Sequence, residues 1–452
     1  MRGRSRRTFV TAVLVVTTIV TASGCGKTTQ SDASGGTEIR LYGTDGNMSN
    51  SFGVPLKGNA SALAGMKGTT PLTQLNDDFK NRVRSIDPSV ADFNYSGETY
   101  DAVVIAGLAT EMAKSIDPGV IAKQLVGVTT GDTACDSVSA CLGVIHAGHH
   151  PRYKGISLSR SGLTDSGEPS SATYGVLNFD RDGKIDDAKT EYVGAGDETA
   201  ASTKAPPAVS TKPPKTPNTT PLRIGLLLPK TGALGFQGPP MFAAARLAVK
   251  DLNDAGGILT QQVVVDDGDD GTSPDVASAT VDRFIGDGVQ VIIGAGASGV
   301  TKAVLPKVVA AGRVIISPSA TSDELSKLDD KGLLFRTAPP DVLQAKALTD
   351  IIMRDGHQKV AIVARNDSYG KGLAENVQSD LAVNGLKAED VKVVLYDAKD
   401  TFDPKTDQAA VFDPLAKNVS AFGPDGILLV GYDESALVIN GLLKAGAKIK
   451  PY

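Results

Sequence analysis

Three short segments carry groups that could hold a charged metabolite. Gly294-Ala295-Gly296-Ala297-Ser298-Gly299 follows an apolar run and opens a helical one. Glycines let a ligand approach the backbone, and a helix start offers unpaired N–H groups with partial positive charge, which suits a carboxylate. A plain strand-to-helix turn would use the same residues. The spacing fits neither a GxGxxG dinucleotide fingerprint nor a phosphate loop ending in Lys-Ser/Thr. Ser317-Pro318-Ser319-Ala320-Thr321 occupies the next such turn, where Thr321 or Ser322 could equally cap a helix near Asp323. Asp45, in Leu41-Tyr42-Gly43-Thr44-Asp45-Gly46, is an acid at a strand end, and Asp-Gly is also a common turn that needs no ligand.

Other clusters carry less. The run Asp266-Asp267-Gly268-Asp269-Asp270 lacks the spaced ligands and terminal glutamate of a calcium loop, and reads as a solvated strand-end loop. His146, His149 and His150 have no fourth metal ligand placed by spacing, and read as a surface loop. GxSxG and HExxH are absent and no Cys/His pairing is identifiable, so no catalytic residue, metal or cofactor is assigned and no enzyme is expected. Cys135 and Cys141 do not fit CxxC spacing. An even pair in an exported chain favours a disulfide, which would contribute about 2 kcal/mol on the chain-entropy model.

These segments need strands and helices to position them. Leu222–Leu228, stopped by Pro229, reads as a buried parallel strand, and 240–254 carries helical periodicity up to Gly256-Gly257. The strands QQVVVDD, VQVIIGA and GRVIISP follow, with helical stretches at 274–287 and 300–311. From 342 the alternation starts again, through KVAIVAR, VKVVLYD and DGILLVG. Such alternation implies doubly wound parallel sheets, and two fit better than one. Residues 38–195 begin with a strand at Ile39–Tyr42. Helical stretches follow at 71–85, 98–114 and 118–126, then a hairpin at 173–193 turning at Asp182-Gly183. That block has too few strands for a complete α/β domain.

Composition narrows the class. The chain has 452 residues, enough for two or three folding units, and a formal charge of −5. Arg2, Arg4, Arg6 and Arg7 precede an apolar run from about Phe9 to Ala22, the pattern of an export signal. Without those four, the 46 basic residues become 42 against 51 acidic, a surface that repels nucleic acid. Ala22-Ser23-Gly24-Cys25 resembles a lipoprotein box, with alanine where leucine is more usual, so Cys25 is the expected lipidation site. Ser5-Arg6-Arg7-Thr8-Phe9 fits a twin-arginine signal and an ordinary basic n-region equally well. Residues 26–37 are a small polar tether, and 196–221 are a Pro/Thr-rich linker.

At LRIGLLLPKTGALGFQG, VIIGAGASGVTKAVLP, VIISPSATSDEL, NDSYGKGLAENVQ and LYGTDG, the chain resembles the leucine/isoleucine/valine-binding family of periplasmic solute-binding proteins. The resemblance implies two doubly wound parallel-sheet lobes joined by a hinge, with the ligand in the cleft between them. By the same resemblance, Ser298 contacts a ligand carboxylate, Ser319 contributes its backbone, and Thr321 contributes its hydroxyl and N–H. Asp45 matches the position that receives the ligand ammonium. Tyr369 faces the ligand from the opposite lobe, Tyr432 falls where the family lines its cleft, and Tyr100 sits near a family aromatic. Gln237 stands where many relatives carry an aromatic ring, a departure that weighs against simple branched-aliphatic specificity.

The order of the motifs departs from the family. LYGTDG should follow the segment that ends at Ala447-Lys448-Ile449-Lys450-Pro451-Tyr452, yet it lies near the N-terminus. Moving 38–195 behind Tyr452 restores the order, so the chain resembles a circularly permuted member. The linker reaches roughly 25–30 Å, enough to join termini on one molecule; a domain-swapped oligomer would also restore the order. The expected division is an export signal at 1–24, a tether at 25–37, second-lobe residues at 38–97 and mainly first-lobe residues at 98–195. The linker then leads to the first-lobe core at 222–341 and the second-lobe core at 342–452. The expected protein is a monomeric, lipid-anchored, exported binder of an amino acid or amide, serving an ABC permease. A sensor that signals to a partner protein is the alternative.

Overall fold

The computed structural model describes residues 38–56, 58–208 and 219–450. The export signal, the tether with Cys25, and residues 209–218 of the linker lie outside them. In chain order the first block holds β1 (Glu38–Gly43), β2 (Lys67–Pro71), α1 (Asp77–Ile86), α2 (Ser96–Ala113) and α3 (Pro118–Thr130). It continues with β3 (Thr133–Cys135), α4 (Val138–His146), β4 (Pro151–Tyr153), β5 (Ser171–Asn178) and β6 (Glu191–Gly196). After the linker come β7 (Arg223–Leu227), α5 (Gly238–Asp254), β8 (Val264–Asp267), α6 (Pro274–Gly286), β9 (Val291–Gly294) and α7 (Ser298–Ala310). Next are β10 (Val314–Ser317), β11 (Leu334–Arg336), α8 (Asp341–Arg354), β12 (Val360–Asn366) and α9 (Ser368–Val383). The last elements are β13 (Val391–Asp397), α10 (Asp413–Phe422), β14 (Gly426–Val430), α11 (Ser435–Lys444) and β15 (Lys448–Ile449).

β9 and β14 are buried at every residue, as expected of central strands in a sheet covered by helices on both faces. One sheet has the order β11-β10-β9-β7-β8 and is parallel throughout. The second runs β13-β12-β14-β1-β2-β5-β6, with β15 also paired to β1. Its last two pairings are antiparallel.

The first block divides between these layers. Its helices α2, α3 and α4 share a core with α5, β7, β9 and β10 of the first lobe. β1, β2 and the β5–β6 hairpin complete the second lobe's sheet. Residues 171–196 therefore sit with the second lobe, at the end of a segment expected mainly in the first. β1 lies parallel between β14 and β2, with Leu41 opposite Ile427, and Ile39 is paired with Ile449 of β15. The first and last described strands are neighbours.

One buried acid fixes the passage from β4 towards β5. Asp101 of α2 accepts hydrogen bonds from the Tyr153 and Ser157 hydroxyls and from the N–H groups of Ile156, Ser157 and Leu158. Cys135 and Cys141 are joined by a disulfide, which ties β3 to α4.

Local departures from the sequence reading have physical causes. Residues 71–76, read as helical, are the end of β2 and a non-helical stretch, because Asn76 caps α1 by accepting the Phe79 N–H. The linker's first residues are packed. Ser202 is buried, donates to Asp165 and gives its N–H to the Leu163 carbonyl. The acidic run is not wholly solvated either. Asp270 is fully buried and accepts the N–H groups of Thr272 and Gly296, so it braces the turn after β9.

Candidate functional site

The C-terminal ends of β7, β9, β1 and β14 converge on one narrow cavity, the position at which open α/β sheets bind ligands. Its walls come from both lobes: Gln237, Gly296, Ser298 and Ser319 on one side, and Asp45, Tyr369 and Tyr432 on the other. Only about 10 Å³ is open to a water-sized sphere, roughly the room one water needs. An amino-acid-sized molecule could enter only after the lobes part. A larger hollow of about 770 Å³ lies between α3 and the segment around β11, and gathers none of these groups.

Asp45 is the centre of the second-lobe wall. It follows β1 in a tight turn, in which Asn47 accepts the Thr44 N–H and donates to the Leu429 carbonyl. Gly46 is required there, since a Cβ would lie 2.5 Å from the Gly431 carbonyl oxygen. The Asp45 carboxylate accepts from Tyr95 Oη at 2.6 Å, Tyr369 Oη at 2.8 Å and Gln344 Nε2 at 2.9 Å. Burial pushes its pKa up from the ordinary value, and these hydrogen bonds pull it back down.

Tyr369 stands in the first turn of α9, where Asp367 caps the helix by accepting the Gly370 N–H. Its ring stacks on Tyr432, with centroids 5.7 Å apart. The Arg365 guanidinium lies 4.2 Å from the centre of the Tyr432 ring. Arg365 is itself held by Glu434 at 2.6 Å, so the aromatic wall has a rigid backing.

On the first-lobe side, Ser298 opens α7. Its Oγ accepts the N–H groups of Thr321 and Ser322, each at 3.1 Å. Ser319 lines the cavity while its hydroxyl donates to the Gly296 carbonyl. Gln237 is buried, and its Nε2 reaches the Asp45 carbonyl across the cleft at 3.3 Å. The site thus sets a helix start and backbone amides against a buried acid.

Comparison with known sequences identifies this scaffold. The periplasmic binding protein family matches residues 221–450, half of the chain. This chain belongs to the periplasmic binding protein family. Among its relatives is the Leu/Ile/Val-binding protein BraC3 of Rhizobium johnstonii, 32% identical over 168 residues, which cover 36% of this chain and 45% of that protein. The leucine-specific-binding protein of Salmonella typhimurium is 30% identical over 177 residues, covering 39% and 46%. The chain spans about half the length of the curated relatives it matches. A solved neighbour is the branched-chain amino acid transporter substrate-binding protein LivJ of Streptococcus pneumoniae, in complex with isoleucine. It shows 26% identity and a TM-score of 0.42, over 51% of this chain and 63% of that one.

Within this periplasmic binding protein, Asp45, Ser298, Ser319, Tyr369, Tyr432 and Gln237 meet around the cavity. Thr321 lies directly behind Ser298, and its N–H is engaged by that side chain. Tyr100 is not in the cleft. It faces the first-lobe core, where its hydroxyl donates to Asp251 of α5 and its ring meets Phe79 edge-on. The tyrosine that reaches the site is Tyr95, five residues earlier. Tyr95 precedes α2 in a left-handed backbone conformation, so its ring leaves on a different side from that of Tyr100. Gln344 was also not anticipated from the sequence. Its signal, a polar residue on the buried face of α8, is readable only once that face is known. Among the described residues no cluster of His, Cys, Asp and Glu is arranged to hold a metal.

Proposed function

We propose that this chain is an exported, lipid-anchored solute-binding protein that captures a free amino acid between its lobes and delivers it to an ABC permease. The observation that carries the reading is the opposition of Asp45 to Ser298 across one cavity. A carboxylate suits an α-ammonium group, and the helix start at Ser298, with the nearby amides, suits an α-carboxylate. Lobe closure is favoured by ligand because each end of the molecule is held by a different lobe. The relatives named above are a Leu/Ile/Val-binding and a leucine-specific-binding protein, which fits an amino-acid ligand.

We further propose that the chain order is circularly permuted and that each molecule completes its own cleft. Support comes from the family match, which covers 221–450 only, and from β1, which supplies Asp45 while lying between β14 and β2. Thermal-shift measurements with a panel of amino acids and amides test the function. A ligand at 100 times its Kd adds about 2.7 kcal/mol to stability. At least one amino acid should raise the Tm, and a flat response across the panel would refute the reading.

A further inference from the structure

Next to the Asp45 site lies a group of buried polar atoms that the proposed α-amino and α-carboxyl contacts do not use. Asp341 is fully buried at the start of α8, and neither of its carboxyl oxygens has a hydrogen-bond partner among the described residues. The same is true of the Tyr174 hydroxyl, the Thr321 hydroxyl and Gln344 Oε1.

These residues lie behind the cavity wall and are linked to Asp45 and Ser298 through hydrogen bonds and strand pairing. The Asp341 N–H donates to the Thr321 carbonyl at 2.8 Å, and Thr321 is joined to Ser298. The Thr321 hydroxyl lies beside the Asp341 carboxyl and favours its charged form. Gln344, one turn along α8, joins Asp45 to Thr69 of β2. Tyr174 is paired with Pro71, two residues from Thr69, and so shares the face of the sheet that meets Gln344. Burial first, then the nearby Asp45 charge, hold the Asp341 carboxyl well above the ordinary carboxylate range. The protonated, donating form is thereby favoured, beside a phenol, a hydroxyl and an amide oxygen. Such a set offers both donors and acceptors.

We propose that Asp341, Tyr174, Thr321 and Gln344 form a second polar subsite that selects an amino acid with an uncharged hydrogen-bonding side chain, a carboxamide or a hydroxyl. The inference rests on the amino-acid reading above and adds the substrate class. A purely aliphatic side chain would leave these buried groups without partners, and a site built for hydrogen bonding discriminates strongly against a ligand that lacks them. The buried amide of Gln237 in the cavity wall acts in the same direction.

Calorimetric titration of the full exported chain with asparagine, glutamine, threonine and leucine tests the proposal. At least one of the first three should bind about tenfold or more tightly than leucine. Tyr174→Phe, which removes one hydroxyl, should weaken that polar ligand about tenfold while leaving leucine within about twofold. Asp341→Leu should narrow or reverse the preference; if it does not fold, Tyr174→Phe alone decides. Leucine binding more tightly than every polar amino acid would overturn the subsite and leave the amino-acid reading intact. So would an equal loss for all ligands in Tyr174→Phe, which marks an ordinary internal hydrogen-bond network. Binding of no amino acid at all would remove both.

Discussion

The carboxylate of Asp45 and the hydroxyl of Tyr369 meet at 2.8 Å, although 324 positions separate them in the chain. Asp45 follows the strand that opens the first block, and Tyr369 lies on α9, midway along the second. The cavity therefore depends on the two blocks folding together. A chain lacking residues 38–195 would keep Ser298 and Tyr369 but lose the acid between them.

Tyr95 should act as a positioning residue for Asp45. Its hydrogen bond favours the ionised carboxylate against the burial that disfavours it. Tyr95→Phe should raise the Asp45 pKa further. The acid limb of the affinity-against-pH profile for an amino acid should then move to higher pH. Affinity should fall by about tenfold at a pH near that limb and less well above it. Calorimetry over a pH series checks this, and a loss independent of pH would mean that the ring only fills space.

Glu98 predicts how stability varies with pH. It is buried in the first turn of α2, and burial pushes its carboxyl up to about 8 from an ordinary 4.5. The folded state thus holds a proton that the unfolded state has released between those values. Its stabilising contribution is complete below the unfolded pKa and is lost as pH rises through the folded one. Wild type should lose stability relative to Glu98→Gln across pH 4.5 to 8, by up to about 1 kcal/mol per pH unit. Chemical denaturation of both proteins at pH 5 and pH 8 measures the difference. A constant gap would contradict the assignment.

What could be read from the sequence, and what could not, divides along physical lines. Asp45 and Ser298 could be named only through the family resemblance at LYGTDG and VIIGAGASGVTKAVLP, because their local signatures, an Asp-Gly turn and a helix start, fit plain turns as well. The parallel sheets followed from apolar runs alternating with helical periodicity. β2 was not legible, because Lys67-Gly68-Thr69-Thr70-Pro71 has little apolar character and gains its place from pairing with β1 and β5. Tyr95 was missed for a geometric reason. It precedes α2 in a left-handed backbone conformation, φ 59°, which points its ring away from the helical face on which Tyr100 sits. Asp270 was hidden among half-buried acids, and only the fold of the loop beneath Gly296 separates it from them.

Cys25→Ser tests the anchor. The substitution removes the thiol that lipidation requires and leaves the folded lobes untouched. Fractionation of cells expressing each form should find wild type with the membrane and the variant in the soluble exported fraction. The same distribution for both would mean that Cys25 carries no lipid.

The most direct test of the central claim is calorimetric titration of free amino acids into the monomeric chain, wild type against Asp45→Asn. The substitution keeps the shape of the side chain and removes its charge. Wild type should bind at least one amino acid at one molecule per chain, and Asp45→Asn should cost roughly 2–5 kcal/mol of that binding. Full amino-acid affinity in Asp45→Asn, or no binding by wild type, would contradict the claim.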